Sequence, residues 1–243
     1  MNRIPSQKIE INSSYYADLS KSTWSPIIQP SGTGDNYWNK LFRYYPQYQL
    51  IYENADGEWL GFANTIPARY DGQLEDLPEE GWDWLISNGI DCHEKSIRPN
   101  VLGGLQIGVN PMFRGHGLSK KILAKAKESM KDHDLDLFIL PIRPTLKDQH
   151  PEISMEEYMT WQEDGKIYDP WIRTHLNAGA KFIKVCHKAM TVEGSITDWE
   201  RWTNKKFDKS GKYPIDGGLS LVEIDLENET GLYLEPNIWI CYM

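Results

Sequence analysis

With 243 residues, 40% of them hydrophobic and 25% charged, the chain has room for one large domain or two small ones and the composition of an ordinary soluble globular protein. A net charge of −9 argues against a nucleic-acid binder, which carries a basic face, and disfavours attachment to an anionic membrane surface. No apolar run approaches the ~20 residues of a membrane span, and the opening "MNRIPSQKIEINSSYY" lacks the apolar region of a secretory leader. Cys92, Cys186 and Cys241 are odd in number and have no metal-ligand spacing. A cytoplasmic protein with reduced thiols and no metal is therefore expected. Ten tryptophans and 13 tyrosines are many for this length. Core packing is their first use, and a groove for a flat or greasy ligand is the second.

In chain order, "YQLIYENADGEWLGFANTIPARY" (48–70) reads as a hairpin whose turn is Asn54-Ala55-Asp56-Gly57. "LPEEGWDWLISNG" (77–89) reads as a short helix with Gly89 near its end. "NVLGGLQIGVNP" (100–111) is a buried strand stopped by Pro111. Over 118–132, Leu118, Ile122, Leu123, Ala126 and Met130 share one helical face, and lysines cover much of the rest. "LDLFILPIRP" (135–144) is a further buried strand. With so short a connection through the helix, the strands on either side of it should run parallel, joined right-handedly.

A polar stretch follows, with a short helix over 154–162 that Ser154 and Glu157 cap as a box. "DPWIRTHLNAGA" (169–180) has Asp169 as N-cap, Pro170 in the first turn and Gly179 as the stop. Residues 181–192 read as a strand and 198–207 as a short helix or turn. Residues 231–242 form a terminal strand that tolerates Pro236 only at an edge or a bulge.

The stretch "VNPMFRGHGLSKKIL" (109–123) sets bare backbone where a helix begins. A helix start offers free N–H groups and the positive end of the dipole, and glycine lets an anion come close. Gly115 and Gly117 free the turn, the amides of His116 to Lys120 can converge on oxygen atoms, and Arg114 and Lys120 add charge. From spacing alone, phosphate binding and simple turn shaping are equally good readings. Neither GxxxxGK[ST] nor the three-glycine GxGxxG is present.

"LGGLQIGVNPMFRGHGLSKKIL" resembles motif A of the GCN5-related N-acetyltransferases, a strand followed by Q/R-x-x-G-x-G/A and a helix. Arg114, Gly117 and Ser119 take the three defined places, with Ser119 a small-residue departure. The element order agrees, and "DPWIRTHLNAGAKFIKV" resembles the later helix and its step into the sixth strand. The resemblance implies an α/β (mixed α+β) fold with a central mixed sheet splayed between the fourth and fifth strands and flanked by helices. It implies a single domain over 1–243, with a recognisable core of about 48–192 and a C-terminal extension over 193–243.

It further implies acetyl-CoA or another acyl-CoA as co-substrate. The pyrophosphate would lie on Arg114, Gly115, His116, Gly117, Leu118, Ser119 and Lys120, and the pantetheine arm would bond to backbone at Ile107 and Val109. An amine, best a small-molecule one, would attack directly. No nucleic acid or membrane partner is implied, and a homodimer is compatible.

Two places depart from the family pattern. His175 stands where many members carry a tyrosine acid and would give a proton to the thiolate; a partly exposed helix histidine is the alternative. The carboxylate of strand four is missing, with Gln106 the nearest polar side chain. Glu235 would reach the site from the terminal strand, or else serve at the surface or as a hydrogen-bond partner. Arg143 and Lys147 would hold an acidic acceptor, or belong to a solvated loop, and His116 would point to solvent. Trp82, Trp84, Trp161 and Trp171 suit an acceptor or acyl chain with apolar surface, or packing. Two other functions stay open: an acyl-CoA-binding module without catalysis, and a nucleotide-binding α/β protein using the same turn.

Overall fold

The computed structural model describes residues 1–4 and 32–243, so the reading of the opening segment falls largely outside the described residues. The elements run β1 (Asn2–Arg3), α1 (Gly32–Tyr44), β2 (Gln49–Glu53), β3 (Trp59–Ala68), α2 (Gly81–Glu94), β4 (Val101–Val109), α3 (Leu118–Asp132) and β5 (Phe138–Ile142). They continue with α4 (Met155–Thr160), the ribbon of β6 (Gln162–Glu163) and β7 (Lys166–Ile167), α5 (Pro170–Asn177), β8 (Lys181–Ser195), α6 (Ile196–Thr203), β9 (Gly211–Tyr213), β10 (Val222–Asp225) and β11 (Thr230–Tyr242). Among the described residues one mixed sheet runs β1-β2-β3-β4-β5-β11-β10-β9, with β8 along the other edge of β11. All its pairings are antiparallel except β4 with β5, which is the parallel pair expected around α3.

Local chemistry explains most boundaries. In the β2–β3 turn, Asn54 Oδ1 accepts from the amides of Asp56 and Glu58, each at 2.9 Å, and Gly57 takes φ +80. Ser154 caps α4 by accepting from the Glu157 amide. Asp169 caps α5 by accepting from the amides of Trp171 and Ile172, and Gly179 leaves that helix at φ +88.

Two expectations need correction. The helix expected over 77–89 starts at Gly81 and runs on to Glu94, so Gly89 is no stop. A Cβ there would lie 2.4 Å from Ile66 Cδ1, so the glycine serves the close approach of α2 to β3. The terminal strand, placed with the extension, is a member of the central sheet between β5 and β8. Its Pro236 sits where the register with β8 shifts, between Glu235 and Asn237, in a strand that is not an edge.

The main core packs both faces of the sheet. Ile122, Leu123 and Ala126 bring α3 down on one face, and Trp82, Leu85 and Ile86 bring α2 down on the other. Burial of that kind is worth about 1.5–3 kcal/mol per large side chain. Trp199, Phe207, Ile215, Val222, Ile224 and Tyr233 form a second, smaller core under residues 196–230.

Candidate functional site

β4 and β5 pair at Leu102↔Phe138 and Gly103↔Ile139, and then they part. Two local features accompany the parting. The register between β3 and β4 slips by one residue, so that Leu105 is an extra residue in β4, and Pro141 brings no backbone donor to β5. Trp82 Nε1 donates to the Leu105 carbonyl at 2.9 Å and holds the bulge. A cleft of about 600 Å³ fills the space, lined from Gly115 and Gly117 at one end to Asn64, Trp82 and Asn237 at the other.

The cleft passes through the sheet. A Cβ on Gly61 would meet Ile122 of α3, and a Cβ on Gly103 would meet Leu85 of α2, which assigns the faces. Gly61 pairs with Val109, so Val109 and Ile107, two residues apart, look toward α3, while Asn64 and its partner Gln106 look toward α2. α5 lies on the α3 face, where Lys127 Nζ donates to the Ala178 carbonyl at 2.7 Å.

At the α3 end the turn has the form a phosphate needs. Gly115 takes φ +83 and Gly117 φ +69, and a Cβ on either would find nothing within 4 Å. Gly117 is the N-cap of α3 and no side chain caps it, so the amides of the first turn have no intrahelical acceptor. Arg114 and Lys120 are exposed beside it. His116 is exposed too, its Nδ1 donating to the Arg114 carbonyl at 2.9 Å.

His175 lines the cleft from α5 and is fully buried, which disposes of the exposed-histidine alternative. Its Nδ1 lies 2.7 Å from Tyr242 Oη, and its Nε2 has no hydrogen-bond partner among the described residues. Burial, reinforced by the Lys127 charge, pushes its pKa down to about 3. Burial thus favours the neutral imidazole over the imidazolium that would hand a proton to a thiolate near neutral pH.

Gln106 lines the cleft on the α2 face. Glu235 does not line the cleft; it is fully buried behind Arg143, accepting from Arg143 Nε at 2.8 Å and from Tyr233 Oη at 2.8 Å. Arg143 lines the cleft and also donates to the Gly217 carbonyl. Lys147 is fully buried elsewhere and donates to the carbonyls of His150 and Leu219, each at 2.7 Å, so it is no acceptor-binding cation.

Three residues escaped the sequence reading. Tyr242 supports His175. Asn237 lines the cleft, and its place just after Pro236 in an apolar strand was the available signal. Asp83 follows Trp82 on α2, and burial first, then the charges of Glu235 and Glu80, push it up to about 6 although it accepts from the Thr191 amide. Nothing local to its sequence marked it.

The fold is also found in known structures. The loading GNATL domain of CurA from Lyngbya majuscula superposes with a TM-score of 0.59 at 17% identity, over 93% of this chain and 90% of that one. The GphF GNAT-like decarboxylase in complex with isobutyryl-CoA gives the same TM-score at 13% identity, over 99% and 97%. By sequence, the arginine N-acetyltransferase avaD of Aspergillus versicolor is 27% identical over 249 residues, 91% of this chain and 85% of that one. The chain has the GNAT-like fold of these structures and resembles the arginine N-acetyltransferase over most of its length. No family model matches it. The comparisons point to a class of reaction, transfer of an acyl group from coenzyme A to an amine. The residues at the α3 end fit the phosphates of such a donor by the open glycines and uncapped amides described above. Among the described residues no group of three or more His, Cys, Asp or Glu is placed to hold a metal ion, and no helix is long and apolar enough to cross a membrane.

Proposed function

We propose that the chain acylates a small-molecule amine, with acyl-CoA held from the α3 face and the acceptor entering from the α2 face. The observation that carries this reading is the cleft through the sheet, which joins a phosphate-shaped turn to a buried polar pocket on the opposite side. When bound, acyl-CoA supplies the activated thioester carbonyl and a thiolate leaving group. The backbone of Ile107 and Val109, on the strand edge that has lost β5, is free of that ladder to align the arm.

Tyr242 is the better donor in its pair with His175, since its pKa is raised and the imidazole is neutral. Its hydroxyl then donates to Nδ1 and the ring proton sits on Nε2, on a side chain that lines the cleft. In this role His175 stabilises charge on the leaving sulfur by a hydrogen bond and keeps its proton. The relative that acylates arginine makes L-arginine the first acceptor to offer.

One feature favours a second reading, an acyl-CoA-binding module without catalysis. None of the described residues that line the cleft is Asp or Glu, so no carboxylate stands there to take the amine's proton. The two readings separate in one assay. Acetyl-CoA is incubated with L-arginine and a panel of primary amines, and free thiol is followed. Amine-dependent thiol release is expected; binding of acetyl-CoA with no release above the amine-free rate selects the second reading.

A further inference from the structure

We infer that Asn237 receives an N–H of the acceptor amine at its Oδ1 and fixes the amine on the α2 side of the gap. This rests on the reading of the cleft as an acyl-transfer site. Asn237 is 1% exposed and lines the cleft. Its Nδ2 donates, at 3.4 Å, to the Pro141 carbonyl, while its Oδ1 is buried without a partner among the described residues. The amide cannot profitably turn over, because Oδ1 would then face the Pro141 carbonyl, one acceptor against another. Buried acceptors are nearly always satisfied, so an unmatched one on a residue that lines a ligand cleft marks the place of a ligand's donor.

The face it occupies decides which ligand. Register between β11 and β8 is continuous from Asn237↔Cys186 to Trp239↔Lys184, so Asn237 and Trp239 share a face. That face is the one covered by α2, since the Trp239 ring meets Trp84 and Trp239 Nε1 donates to the Pro78 carbonyl. His175 and the turn at Gly117 lie on the other face, with α3 and α5. A donor offered from the α2 side belongs to the acceptor and not to the phosphate-bearing arm.

The matching chemistry is a primary or secondary amine with N–H to give and an apolar stem to lie along Trp82 and Met190, which line the same cleft. A carboxylate or phosphate at this point would meet an acceptor, not a donor.

The test uses the full chain, acetyl-CoA, L-arginine and the same amine panel. Asn237→Leu, which keeps the volume and loses the acceptor, should raise the acceptor KM ~10-fold or more and leave the acetyl-CoA KM within about twofold. Asn237→Asp, which keeps an oxygen at Oδ1 and, protonated by its burial, a donor toward the Pro141 carbonyl, should hold the acceptor KM within about threefold, and this variant decides the matter should Asn237→Leu not fold. An unchanged acceptor KM in Asn237→Leu, or a rise confined to acetyl-CoA, overturns the assignment while acyl transfer stands; so does loss of acceptor affinity in a folded Asn237→Asp. A wild-type protein that releases no CoA with any amine of the panel removes the acyl-transfer reading, and this inference with it.

Discussion

Tyr242 Oη and His175 Nδ1 lie 2.7 Å apart, joining the last strand to a helix 67 positions earlier. Lys127 stands over the Tyr242 ring, 4.3 Å from its centroid, and also ties α3 to α5. The pair is buried and next to a cation, so the imidazole stays neutral and the phenol stays protonated. The proton on Nε2 therefore depends on a hydroxyl outside the helix. Tyr242→Phe should lower kcat by roughly 10-fold, within the range of one lost supporting hydrogen bond, with little change in the KM for acetyl-CoA. An unchanged kcat would show that the tautomer is set without Tyr242.

The same histidine gives a stability prediction whose sign is fixed. Its folded pKa of about 3 lies below the unfolded value of 6.5, so the folded chain refuses a proton that the unfolded chain accepts. The stability tied to the neutral ring is complete above 6.5 and is lost as pH falls from 6.5 toward 3. By about pH 5 the loss amounts to roughly 2 kcal/mol, at about 1.36 kcal/mol per pH unit. His175→Gln should be less acid-sensitive by that amount when urea unfolding is compared at neutral pH and about pH 5. Equal acid sensitivity in the two proteins would place the titration elsewhere.

Gly117 tests the phosphate turn. It takes φ +69 with nothing within 4 Å of a Cβ, so a side chain there meets strain but no clash. Gly117→Val should cost about 1–2 kcal/mol in stability from the left-handed backbone and should abolish CoA binding, since the branched side chain stands where the phosphates would lie. A folded variant that binds CoA as tightly as the wild type in a thermal-shift titration would move the phosphates off this turn.

Asp83 points the other way in pH. Its pKa of about 6 lies above the usual carboxylate value of 3.8, so burying its charge weakens the fold as pH rises through 6. Asp83→Asn keeps an oxygen for the Thr191 amide and should stabilise the protein near neutral pH by at most about 3 kcal/mol, less for its partial exposure, with the gain fading toward about pH 4. A destabilised Asp83→Asn at neutral pH would mean that the carboxylate is wanted as an anion.

What the sequence disclosed and what it withheld divide along a physical line. Caps, turns and apolar periodicity are local, so Asp169, Ser154, Gly179 and the strand–turn–helix at 101–132 were legible from their neighbours alone. Gly89 was misread because a glycine that ends a helix and one that admits a neighbouring strand look alike until Ile66 is in place. The strand-face assignment of Gln106 depends on the bulge at Leu105, and a one-residue slip inverts every side chain after it. The protonation of His175 was out of reach for a related reason. A helix histidine carries its usual pKa until strand residues from the far end of the chain close over it.

Glu235 brings these strands together. The residue was expected to reach the reacting centre, and it lies instead behind Arg143, with its oxygens held by Arg143 Nε and Tyr233 Oη at 2.8 Å each. Tyr233 Oη in turn accepts from the Leu219 amide at 2.8 Å, and Arg143 donates to the Gly217 carbonyl, so the carboxylate ties the 215–220 loop to the rim of the cleft. Neutralising it leaves the guanidinium half-buried without its counter-charge. Breaking a buried pair costs about 3–5 kcal/mol, and the exposed part of Arg143 brings the figure to roughly 2–4. Glu235→Gln should therefore lose that stability in urea unfolding and raise the acceptor KM several-fold as Arg143 shifts, with kcat reduced by less than ~10-fold. A general base would behave otherwise: removing it costs ~10² to 10⁴ in kcat and need not touch stability. A stable Glu235→Gln protein with kcat down a hundredfold or more would return the carboxylate to the chemistry and require the loop to open for it to act.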